Sequence, residues 1–161
     1  MKNVTTGLFV IFCLVLLGCN TKEIQSHVTP SSPIVYDSVL AKSLGADDYG
    51  MRQYVMAFLK SGPNRSQDST TAVQLQRAHL DNITKLANEG KLVFAGPFMD
   101  DFDIKGIYIF AVESLEEAQR LTSTDPAIEA GRLTMELHPF YGSAALMQVN
   151  EIHQKISKID I

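Results

Sequence analysis

Two segments of the chain are apolar on both faces of an extended strand, and that limits what it can fold into. In Met51 to Lys60, Tyr54, Met56 and Phe58 alternate with Val55, Ala57 and Leu59. In the segment from Ile104 or Gly106 to Val112, Ile107, Ile109 and Ala111 alternate with Tyr108, Phe110 and Val112. Successive strand side chains point to opposite faces, so both strands need cover on both sides. Burial is worth roughly 1.5–3 kcal/mol per large side chain, so leaving two or three of them wet on each face is untenable.

The rest of the pattern supplies one covering layer. From Ser69 to Gly90, the side chains of Ala72, Leu75, His79, Ile83 and Leu86 fall within about 80° of one another at helical spacing. Arg77, Asp81, Lys85 and Asn88 lie opposite, so this is an amphipathic helix with a histidine in its apolar stripe. Ser61-Gly62-Pro63-Asn64 stops the strand before it, Ser69 is its expected N-cap, and Gly90 ends it. Leu92 to Gly96 reads as a second strand ending at Gly96-Pro97, joined to the third by an acidic turn containing Asp100, Asp101 and Asp103.

Ser114 and Glu117 form a capping box that opens a second helix running to about Ser123. Asp125-Pro126 has the form of a cap followed by proline at the first helical position, in a short turn that stops at Gly131. Leu133 to Phe140 is a fourth strand, with Leu133, Met135 and Leu137 on one face and Thr134, Glu136, His138 and Phe140 on the other. Ser143 caps a last helix in which Leu146, Val149, Ile152 and Ile156 recur, ending near Lys158. The order strand, helix, strand, strand, helix, strand predicts a ferredoxin-like α+β unit with its helices on one sheet face. Either the C-terminal helix or a second copy must cover the other face, and two-fold closure in a homodimer is favoured because it also protects the sheet edges.

At 161 residues, 45% hydrophobic and 20% charged, the chain holds one ordinary globular domain. Residues 1–19 read as a targeting signal: Lys2, an apolar run from Leu8 to Leu17 too short to span a bilayer, then Leu16-Leu17-Gly18-Cys19. That ending resembles a bacterial lipobox, with Cys19 the lipid attachment residue. Leu17 is bulkier than the usual residue there, and a plain signal peptide with an incidental cysteine is the alternative. Residues 20–48, with Thr29-Pro30-Ser31-Ser32-Pro33, read as a flexible tether, and 49–161 as the folded domain. Asn20 carries no obvious retention signal, which points to the outer membrane, facing the periplasm.

The cysteines are Cys13, in the segment to be removed, and Cys19, so the mature domain has no free thiol for catalysis or a cysteine zinc site. A net charge of -4 without a basic block excludes nucleic acid as the partner. No cofactor is called for.

Taken together, Arg77-Ala78-His79-Leu80, the run from Gly90 to Pro97, Gly106, the Asp125-Pro126 pair and Pro139-Phe140 resemble the YCII-related family of dimeric α+β barrel domains, over about Met51 to Tyr141. The tether, the lipobox and the tail after Gly142 lie outside that pattern. The resemblance implies a symmetric dimer with a small-molecule cleft in each subunit, and a catalytic pair that falls on His79 and Asp125. It constrains the chemistry only weakly, because fold does not fix function.

On the residues themselves, His79 is either a general base oriented by Asp125 or a core histidine bonded to a backbone carbonyl. Asp125 is either an ordinary cap or a cap that also holds the ring, since a carboxylate has two oxygens. Glu136 and His138 share a strand face and read as substrate contacts, as ligands joining His79 at a metal, or as an edge-strand polar face; no metal is assigned. Gly96 and Pro97 are either a cleft wall, with Gly96 permitting close backbone approach, or a strand-ending turn. The acidic turn lacks the spacing of a calcium loop. The expected function is a lipid-anchored homodimer that binds a small molecule, with proton transfer by the His–Asp pair; the alternative is a non-catalytic binding or interaction module at the membrane surface.

Overall fold

The computed structural model describes residues 35–159; the signal segment with Cys19 and the tether as far as residue 34 lie outside the described residues. In chain order the elements are α1 (Ser38–Ser43), β1 (Met51–Ser61), α2 (Ser69–Asn88), β2 (Leu92–Pro97), β3 (Ile104–Phe110), α3 (Leu115–Thr122), α4 (Pro126–Glu129) and β4 (Leu133–Ser143). A 3-10 turn (Ala144–Gln148) and α5 (Val149–Ile156) complete the chain. The unit that begins at Tyr36 therefore carries the expected βαββαβ order. Its sheet order is β2-β3-β1-β4 with every neighbouring pair antiparallel, the ferredoxin-like α+β arrangement.

The strands that are apolar on both faces, β1 and β3, are the two central ones, where a side chain meets neighbours on every side. Toward the helices, Val55, Ala57, Tyr108 and Phe110 join Leu86 of α2, Leu92 of β2, Val112 and Ala118 of α3 in one buried cluster. On the opposite face Tyr54, Val93 and Ile109 form a second cluster, against which Leu146 and Met147 of the 3-10 turn pack. Tyr54, Phe110, Leu92 and Val55 are the largest fully buried side chains, each worth roughly 1.5–3 kcal/mol. Outside that cluster, Phe58 and Ile107 stay half-buried and Glu136 and His138 are exposed. Among the described residues no helix is long and apolar enough to cross a membrane.

Element ends differ from expectation where a better partner stands one or two residues away. Asp68, not Ser69, caps α2, its carboxylate accepting from the Thr71 N–H at 2.9 Å. Gly90 follows the helix at φ +69, the left-handed conformation that suits glycine. β3 ends at Phe110, opposite Leu92 at the start of β2, and the next N–H, that of Ala111, donates to the Lys91 carbonyl at 2.9 Å. β4 runs on to Ser143 because β1 begins at Met51 and offers partners that far. The last helix is preceded by the 3-10 turn that Ser143 caps. Within the stretch read as tether, α1 is capped by Asp37.

The end of β1 is fixed by close backbone contact. The Gly62 N–H donates to the Arg132 carbonyl at 2.8 Å, and a Cβ at Gly62 would lie 2.2 Å from the Gly131 carbonyl oxygen. Neither backbone can yield cheaply. Gly62→Ala is therefore expected to destabilise the domain by about 1–3 kcal/mol, read as a lower urea midpoint at unchanged m-value.

Candidate functional site

His79 sits in the middle of α2, where the helical stripe turns it onto the sheet, and it is 5% exposed. Asp125 stands at the start of α4, 4% exposed, with Pro126 in the first helical position. The two side chains meet: His79 Nδ1 lies 2.5 Å from Asp125 Oδ2. The other carboxylate oxygen, Oδ1, accepts from the Ala127 N–H at 2.9 Å and so caps α4. One residue thus does both jobs, one oxygen to each.

This division assigns the histidine tautomer. A carboxylate oxygen accepts, so Nδ1 is the nitrogen that donates to Asp125 and Nε2 is the one left to face the sheet. Facing Nε2 at 3.2 Å is the Tyr108 hydroxyl, with the two rings stacked at 6.2 Å between centroids. Burial first, and then the Asp125 charge, push the Tyr108 phenol well above its ordinary range, so it serves as an O–H donor. A second polar clamp lies beside the first, where the Asn82 amide donates to Thr124 Oγ1 at 2.9 Å. His79 and Asn82 are three residues apart on α2 and meet the consecutive Asp125 and Thr124, so the helix is pinned to the α3–α4 turn at two points.

Tyr108 and Asn82 were not among the candidate residues. Tyr108 reads as one more apolar residue of a strand, and only its hydroxyl distinguishes it. Asn82 carried a signal in its place one turn after His79, next to the apolar stripe.

The remaining candidates do not join His79. Glu136 and His138 pair across the sheet with Phe58 and Met56, on the face opposite the helices. There His138 Nε2 lies 2.8 Å from Glu136 Oε1 and its ring is edge-on to Phe58, while Lys60 pairs with Glu136 and holds that carboxyl below its ordinary range. With the sheet between them, these residues and His79 cannot share a metal. Among the described residues no three histidine, aspartate or glutamate side chains converge to hold one.

Gly96 and Pro97 end β2, and the close approach expected at Gly96 belongs to Gly106. A Cβ at Gly96 would meet only the Phe94 ring at 3.7 Å, whereas one at Gly106 would lie 2.7 Å from the Gly96 carbonyl oxygen. Among the described residues, depressions include a groove of about 470 Å³ among α2, β2 and α5 and a shallow one of about 510 Å³ at the β2–β3 turn. Neither is lined by His79, Asp125 or Tyr108.

An antiparallel ferredoxin-like sheet carrying a buried, tautomer-fixed histidine on its first long helix defines a class of small α+β domain. The chain belongs to the YCII-related domain family, whose pattern it matches over residues 54–140, more than half its length. Among solved structures it is similar to the 5-chloro-2-hydroxyhydroquinone dehydrochlorinase of Burkholderia phenoliruptrix AC1100, determined in complex with 2,5-dihydroxybenzoquinone. That likeness is 20% in identity, covers 55% of this chain and 93% of that chain, and has a TM-score of 0.41. No curated protein sequence matches the chain.

Two stability measurements follow. Asp125→Ala removes a cap and strands a buried ring N–H, with an expected loss of about 2–4 kcal/mol by chemical denaturation; Asp125→Asn, which keeps an acceptor for the Ala127 N–H, loses less. The raised Tyr108 phenol stays protonated in the folded chain while the unfolded chain releases its proton above about pH 10, so folding stability falls as pH rises through that range. Tyr108→Phe should flatten this decline between about pH 9.5 and 11, by up to about 1.4 kcal/mol per pH unit.

Proposed function

We propose that the chain is a lipid-anchored, homodimeric YCII-like protein that binds a small molecule and transfers a proton with His79, oriented by Asp125. The observation that carries this reading is the 2.5 Å contact between His79 Nδ1 and a carboxylate whose other oxygen is fixed by the α4 cap. General base catalysis needs a ring held in one tautomer with its lone pair turned outward, and a neighbouring negative charge that stabilises the imidazolium once formed. His79 Nε2 takes the proton from a weak carbon or oxygen acid, Asp125 stabilises the resulting cation, and the proton returns to the product. Tyr108 fills the place at Nε2, so a substrate reaches the base when the phenol is displaced.

The homodimer is supported by the sheet face opposite the helices, where Phe58 and Ile107 are half-buried outside the cluster that the tail packs on. The Gly18-Cys19 ending supports lipid attachment at Cys19, and with it a place in the cell envelope, at the outer membrane facing the periplasm. A second reading, a non-catalytic binding or interaction module, is favoured by one observation: His79 is 5% exposed and both its ring nitrogens already have partners.

Base catalysis can be tested before a substrate is known. Enolisable and phenolic probe compounds are incubated with the protein in D2O and their C–H exchange is followed by NMR. At least one is expected to exchange about 10²–10⁴ times faster with the wild type than with His79→Gln. Equal rates across the panel would reject catalysis and leave the binding module. For the anchor, Cys19→Ala is expected to move the protein from the membrane to the soluble fraction, and continued membrane retention would rule out the lipid.

A further inference from the structure

The tail helix α5 does not lay its apolar side on the domain. An amphipathic surface helix ordinarily does so, yet Ile152 and Ile156 are 53% and 74% exposed and α5 contributes no buried residue. Two contacts hold it in place. Ahead of it, Leu146 and Met147 of the 3-10 turn pack against the cluster around Tyr54. In its first turn, the Asn150 amide donates to the Leu92 carbonyl of the edge strand β2 at 2.7 Å. Between α5, β2 and the end of α2 lies the groove of about 470 Å³, within the usual range of small-molecule sites, about 300–1,000 Å³.

The apolar part of this groove is Ile83, Ala87, Leu92, Phe94 and Ala95, and three of these, Ile83, Leu92 and Ala95, belong to the core cluster beneath α2 or pack on it. Its polar part includes Asn88 at the end of α2 and Asn150, His153 and Gln154 on α5. Residues three and four apart share one side of a helix, so these three α5 side chains face the groove together. Among the described residues, the Asn88 amide, the His153 ring and the Gln154 amide bond to no protein group. No Asp, Glu, Lys or Arg side chain lines the groove. An ionised guest would therefore give up hydration there without meeting an opposite charge. Uncharged donors and acceptors around an apolar floor match an uncharged guest instead.

We propose that this groove is a binding site of its own, for a small uncharged molecule with an apolar body and a carboxamide, carbonyl or hydroxyl head. The body lies on Leu92, Phe94 and Ala95, and the head exchanges hydrogen bonds with Asn88, His153 and Gln154. The site shares no residue with the group of His79, Asp125 and Tyr108, and its α5 wall lies beyond residues 54–140 of the family pattern. It is therefore independent of the proton-transfer reading and of what the family pattern encodes.

Two probes of the same shape test this, 1-naphthamide and 1-naphthoate, which differ in charge. Each is titrated into protein labelled at the isoleucine methyls and followed by NMR at pH 8, above the ordinary histidine range. Ile83 and Ile159 line the groove, while Ile107 and Ile128 lie outside it and serve as references. The amide is expected to shift Ile83 and Ile159 saturably, to leave the references unmoved, and to bind at least about tenfold more tightly than the carboxylate. Thr84→Trp, which fills the groove from α2, is expected to weaken the amide at least about tenfold. Asn88→Ala and Gln154→Ala, each removing one hydrogen-bonding group at an exposed position, are expected to weaken it about threefold to tenfold. No saturable shift up to the solubility of the amide, equal binding of the carboxylate, or shifts as large at the references would overturn the proposal. So would full affinity in Thr84→Trp or, should that variant fail to fold, in both alanine variants.

Discussion

The Asp125 carboxylate joins the long helix α2 to the start of α4. Oδ1 starts α4 and Oδ2 fixes the ring on α2. Both contacts are buried, so water cannot replace either, and a change at one end is felt at the other. The Asn82–Thr124 bond lies immediately beside this junction and holds the same helix to the same turn. The orientation of His79 is therefore a property of how the helix layer is fastened together.

The sheet imposes a second constraint. Its two central strands are apolar on both faces, and the helices complete only one of them. Leu146 and Met147 of the tail close the end of the open face that holds Tyr54 and Phe140. Phe58 and Ile107 lie further along the same face, next to the polar group of Lys60, Glu136 and His138. An apolar patch rimmed by charge is the composition of an interface rather than of ordinary solvated sheet, and it bears on association, whereas the histidine site bears on chemistry.

The fold was legible because each element carries its own local signal. Alternation placed β1 and β3, glycine after the last turn ended α2, and Ser114 and Asp125 opened α3 and α4, all short-range effects of backbone geometry and capping. The pairing of His79 with Asp125 was reachable only through the family resemblance, because residues 46 apart in the chain meet through tertiary packing. Tyr108 was hidden for a different reason: in a strand apolar on both faces, a phenol reads as a ring, and its hydroxyl matters only once α2 is laid across it. Glu136 and His138 were correctly put on one strand face, but a strand alone does not say which face of the sheet that becomes.

A leucine at position 79 would fit the apolar stripe of α2 and bury comparable area without desolvating an imidazole, a carboxylate and a phenol. Fully satisfied buried polar groups of this kind roughly break even against apolar ones of the same volume, so net stability does not account for the trio. What the trio contributes is direction: one tautomer, one ring orientation, one hydroxyl against one nitrogen. A structural histidine needs only a single acceptor, and a backbone carbonyl would serve. Here the acceptor is a carboxylate, already fixed by a helix cap, and the opposite nitrogen meets a phenol hydroxyl. That combination has little use in a core and a direct use in moving a proton, and it favours the catalytic reading despite the ring's burial.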